Sequence, residues 1–107
     1  MTEQKDENLQ TSEVALKDSP TRSDIQEYLE SRGETVLLCD GFDEAFIGLS
    51  QRINEPLLAV YSYDKMIDVL MKRDGMEHED AIDYLDFNVL GAWVGEQTPI
   101  IVTSMFY

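Results

Sequence analysis

Two groups of carboxylates offer the chain its clearest chemistry. The first, Asp40-Gly41-Phe42-Asp43-Glu44, comes directly after the apolar run Thr35-Val36-Leu37-Leu38-Cys39. Carboxylates just past a strand's C-terminal end sit where α/β proteins often place ligands, and hard cations take oxygen donors. Asp40, Asp43 and Glu44, joined by Asn88 and Trp93, could therefore form a small-ligand or divalent-metal site. The alternating acids and terminal Glu of a calcium loop are missing, and the plainer reading is a turn at Asp40-Gly41 with Asp43 as a cap. The second group is Glu77, Glu79, Asp80, Asp83 and Asp86. Glu79, Asp83 and Asp86 recur at i, i+4 and i+7, which puts them on one helix face with Asp80 alongside. Like charges at that spacing cost stability, so the stripe could dock a basic partner or imitate a phosphate row; the plainer reading is a solvated face.

Other reactive residue types are sparse. Trp93, the only tryptophan, lies between Gly91 and Gly95, where it could stack on a ligand or plug the core. Asn88 could cap helix carbonyls or point into the same site. Cys39 is the only cysteine and His78 the only histidine. An intramolecular disulfide is thus impossible, and the thiol reads as a small buried hydrophobe in an apolar run. No phosphate-binding glycine loop, paired-cysteine metal spacing or Gly-x-Ser-x-Gly elbow occurs, so no catalytic residue and no cofactor is assigned.

The charge narrows the partners. Twenty-two acidic residues against eight basic ones give −14. Phosphate neutralisation supplies most of a nucleic-acid binder's affinity, so direct nucleic-acid binding is disfavoured, as is an anionic membrane surface. Basic protein surfaces and cations remain. The first 22 residues hold five acids and three bases, which leaves −12 to the remainder. No stretch approaches the roughly 18–20 apolar residues of a membrane span, and the polar N-terminus lacks a signal-peptide core. The reduced lone cysteine fits a cytoplasmic setting.

Elements to hold these groups can be read from pattern. Residues 1–22 carry few large apolar side chains and read as a disordered acidic tail. Residues 23–107 form one α+β domain, with a three- or four-stranded sheet and about three helices packed on it. Ser23-Asp24-Ile25-Gln26 is a capping-box pattern that opens a helix over 24–32, with Ile25, Tyr28 and Leu29 on one face. Thr35–Cys39 reads as a buried strand. Residues 45–52 suit either a helix or a strand, and Gly48 tilts them toward a hairpin with the strand at Leu57–Tyr61. Ser62 or Asp64 caps the next helix, which ends at Gly75. A further helix with core face Ala81, Ile82, Leu85 and Val89 runs to Gly91, and a last strand spans Ile100–Thr103.

From Asp40 to Val102 the chain resembles a family of small proteins common in bacterial and phage genomes. The resemblance rests on Asp40-Gly41-Phe42-Asp43-Glu44-Ala45, Tyr63-Asp64-Lys65, Arg73-Asp74-Gly75-Met76, Phe87-Asn88-x-x-Gly91-Ala92-Trp93-x-Gly95 and Thr98-Pro99. It implies a phage or mobile-element setting, hence the host cytoplasm, and carries no activity, cofactor or catalytic residue with it. The resulting expectation is a non-enzymatic acidic interaction protein. Its docking face would be Glu79, Asp80, Asp83 and Asp86, meeting a basic, nucleic-acid-binding protein. The small-ligand or metal site is the alternative.

Overall fold

The computed structural model describes residues 20–105. The tail expected over 1–22 therefore lies outside the described residues except for Pro20, Thr21 and Arg22. Among the described residues the architecture is α+β: three α-helices and one three-stranded sheet.

Helix α1 spans Arg22–Arg32 and starts two residues before the expected boundary. Thr21, not Ser23, is the N-cap: its hydroxyl accepts from the Asp24 amide at 3.1 Å, and the Asp24 carboxylate accepts from the Thr21 amide at 3.0 Å. A carboxylate is a stronger acceptor than the Gln26 amide and also complements the helix macrodipole, so the box closes around Asp24. Ile25 and Leu29 are buried as expected, but Tyr28 is not. It is 51% exposed, with the Arg32 guanidinium stacked over its ring.

Strands β1 (Phe46–Ser50) and β2 (Leu58–Ser62) form the antiparallel hairpin toward which Gly48 tilts the sequence. A bulge between Phe46 and Gly48 turns Ile47 half outward. Strand β3 (Ile100–Val102) pairs parallel to β2, aligning Tyr61 with Ile101, so β2 is the central strand. Between them run α2 (Tyr63–Asp74) and α3 (His78–Leu85). The Ser62 hydroxyl caps α2, and left-handed Gly75 ends it. Ala59, Tyr61, Met66, Leu70, Ala81 and Leu85 are fully buried and form the core between sheet and helices.

Two expected elements come out differently. Residues 34–39 form no strand. Both flanks of β2 are taken by β1 and β3, and the segment is tethered by side chains instead. The Cys39 amide donates to the Tyr61 hydroxyl at 2.8 Å, and the Thr35 carbonyl accepts from Gln97 at 3.3 Å. The last helix is also not α-helical to Gly91. After Leu85 it widens into a π-helical turn, Asp86–Leu90.

Candidate functional site

The first acidic group is a structural clamp. Arg22 stands at the start of α1 and donates Nε to both Asp43 carboxylate oxygens at 3.1 and 3.2 Å. Its Nη2 reaches Asp40 Oδ1 at 3.2 Å and the Cys39 carbonyl at 3.4 Å. These carboxylates raise the Arg22 pKa, Asp43 most of all through its hydrogen bond. On the other side Arg73, near the end of α2, donates to the Gly41 carbonyl and lies 5.8 Å from the Phe42 ring centre. Asp74 holds that guanidinium at 2.9 and 3.0 Å. Two arginines from two helices therefore pin residues 39–43, and Phe42 is driven into the core at 5% exposure.

The five residues of the small-ligand alternative do not converge. Asp40 and Asn88 line a common groove, whereas Asp43 is spent on Arg22, and Glu44 and Trp93 are exposed outside that lining. Among the described residues no group of three or more His, Cys, Asp or Glu side chains is placed to share a metal ion. Asn88 takes the capping role: its Nδ2 donates to the Tyr84 carbonyl at 3.1 Å. Trp93 is 75% exposed, so it does not plug the core.

The groove has a volume of about 390 Å³. One wall is the tethered segment with Leu37, Leu38 and Cys39, and the other is the helix with Tyr84, Asn88 and Val89. Ala92, Val94 and Pro99 close an end, and Ile101 of β3 also contributes. The lining is mostly apolar, with Asp40 at its mouth. Burial raises the Cys39 thiol to about 11, with the Asp40 charge adding and Arg22 opposing. That thiol is protonated at neutral pH and is no nucleophile.

The apolar surface continues past the groove. Phe87 is 86% exposed, Leu90 47%, Trp93 75% and Val94 61%. Sequence periodicity missed this surface because it assumed an α-helix through Gly91. The signal that could have found it was five large apolar residues in the eight positions 87–94, more than one buried stripe can absorb.

The second acidic group borders this surface, though not as a single stripe. Glu79, Asp80, Asp83 and Asp86 are all exposed, and no ion pair among the described residues involves them. Helical spacing puts Asp80 in the row of the groove residues Tyr84 and Asn88, and Glu79 and Asp83 in the row of Phe87. Asp86 lies toward α2, where its charge, after burial, helps raise the Tyr63 hydroxyl.

No family model matches the chain, and no curated protein or solved structure shows a match. Among the described residues no helix is long and apolar enough to cross a membrane. The site alone therefore bears on function.

Proposed function

We propose that this chain is a non-enzymatic docking protein that engages a basic protein surface through α3 and the turn after it. The observation carrying this reading is the juxtaposition on one helix: exposed, unbridged Glu79, Asp80 and Asp83 beside exposed Phe87 and the groove-lining Tyr84. Glu79 and Asp80 suit the N-terminal turn of α3, but Glu79 and Asp83 repel at i, i+4, and exposed apolar area gains nothing in water. Both are relieved by a partner that is positively charged and partly apolar. Asp86 belongs to the acidic face at its far side. With a net charge of −14, the molecule also steers such a partner electrostatically from a distance.

The resemblance to small bacterial and phage proteins supports a host cytoplasmic setting and a nucleic-acid-binding protein as the target. Direct contact with nucleic acid stays disfavoured by charge. The small-ligand or metal alternative finds less support, since Arg22 already holds Asp43 and the five residues do not converge.

The test is a nuclease-treated pull-down from bacterial lysate. It compares the wild type with a Glu79→Gln, Asp80→Asn, Asp83→Asn and Asp86→Asn combination. A stoichiometric basic partner should be retained by the wild type, lost near ~0.5 M salt, where screening reaches a few ångströms, and lost by the variant. Equal capture by both proteins would refute the acidic docking face.

A further inference from the structure

We infer that the groove between Leu37–Asp40 and the α3–π segment receives the apolar side chains of a cationic amphipathic segment of a partner protein. This rests on the docking reading and adds where the partner is anchored and what chemistry it carries.

Three observations converge on that occupant. The groove, at about 390 Å³, is large enough for two or three aliphatic side chains but is walled mainly by apolar groups. Of its polar side chains, Asn88 and Thr98 already bond backbone groups of Tyr84, Val94 and Gly95, which leaves a small polar ligand chiefly Asp40 and Tyr84. Exposed Phe87, Leu90 and Trp93 alternate in sequence with the lining residues Asn88, Val89, Ala92 and Val94 but stay outside the lining, and a small molecule seated in the groove would leave them uncovered. A chain segment covers both. Isolated exposed hydrophobes such as Ile53 in the hairpin loop are ordinary; four within residues 87–94 beside a groove are not.

Charge selects among macromolecules. Asp40 lines the groove and its side chain is 96% exposed, although Arg22 touches one oxygen. Asp80 and Asp83 flank the helical wall. A second copy of this chain would bring its own carboxylates against these and carry another −14. A segment with Lys or Arg on one face and Leu-type residues on the other meets both demands at once.

The probe is a synthetic peptide of about 15 residues, with Leu at i, i+3, i+4 and i+7 and Lys elsewhere. Its controls are the same peptide with Glu for Lys, and a polar peptide with Ser for Leu. Trp93 is the only tryptophan and adjoins groove residues Ala92 and Val94, so its emission reports occupancy without a label. The Leu/Lys peptide should bind with a blue shift of Trp93. Ala92→Phe, which fills the groove, and the charge-neutral Val94→Asn, at a 61% exposed site, should each weaken binding about tenfold or more while leaving its salt dependence intact. Unchanged thermal melting of Val94→Asn guards against misfolding.

Equal binding of the Leu/Lys and Ser/Lys peptides, or indifference to both groove substitutions, overturns the anchoring inference but leaves acidic docking standing. Failure of both cationic peptides to bind refutes the docking reading together with this one. Self-association of the wild type that Val94→Asn abolishes would assign the surface to a second copy, and would overturn the cationic occupant.

Discussion

A Tyr61→Phe substitution removes one oxygen atom and tests how the groove wall is held. Tyr61 is fully buried on the central strand, its ring edge-on to Phe46 with centres 5.6 Å apart. Its hydroxyl takes the Cys39 amide at 2.8 Å, a link between residues far apart in sequence. Phenylalanine keeps the ring and its packing, so the main change is an amide left without its acceptor. An unsatisfied buried donor costs about 1–3 kcal/mol. Cys39 is only half-buried, so water reaches the freed amide in part and the lower end applies, about 1–1.5 kcal/mol. For a domain of this size each kcal/mol lowers the melting temperature by roughly 4–8 °C. Urea denaturation gives the stability loss, and native-state hydrogen exchange gives its location: the Cys39 amide should exchange faster, ahead of the core helices. Tyr28→Phe, at a half-exposed ring, is the control and should change stability by less than about 0.5 kcal/mol. The reasoning fails if Tyr61→Phe leaves both stability and Cys39 protection at wild-type values.

Removing the clamp with Arg22→Gln leaves Asp40 and Asp43 facing each other. Because Asp40 is almost fully exposed, the stability loss should be about 0.5–1 kcal/mol and shrink with added salt; a loss independent of salt would point to packing instead. Alkali should destabilise the protein. Cys39 is pushed up from 9.0 to about 11 and Tyr61 from 10.0 to about 12, in both cases chiefly by burial. Above pH 9 the unfolded chain gives up protons that the native state keeps, so this stability is complete below pH 9 and is lost as pH rises toward 11 and 12. Stability that stays flat from pH 8 to 11 would contradict it. Correspondingly, iodoacetamide should modify Cys39 about 100-fold more slowly in the native protein than in urea at pH 8.

How much of this was legible beforehand depended on where the backbone satisfies itself. The helix Tyr63–Asp74 and the hairpin are local structures, and Ser62, Gly48 and Gly75 mark them in the residues themselves. Thr35–Cys39 has a strand's composition yet no ladder, because strandness depends on a free neighbour, and β1 and β3 arrive from later in the sequence. The acidic residues Asp40 and Asp43 looked like ligands because nothing in their own neighbourhood shows Arg22, 18 and 21 residues away, folding back onto them. Asp80 and Asp83 were legible as exposed charge from spacing alone. Their association with an apolar groove was not, since its other wall comes from residues 37–40.

The π-helical turn bears on part of that surface. Phe87 would be exposed in a regular α-helix too, since it continues the solvent-facing row of Glu79 and Asp83. An i→i+5 turn accommodates one extra residue, which rotates the residues beyond it by about 100°. Val89 still packs partly against the core, in line with Ala81 and Leu85, while Leu90 and, past the turn, Trp93 and Val94 face solvent. Gly91 makes the return possible: a Cβ there would stand 3.2 Å from the Asp86 carbonyl, closer than most side chains tolerate. π-helical turns are rare overall and frequent at functional sites, and outward Phe and Leu forfeit the burial that holds helices on sheets. A turn that presents apolar residues beside exposed carboxylates is stabilised when another surface covers both, and that is the physical argument for the docking we propose.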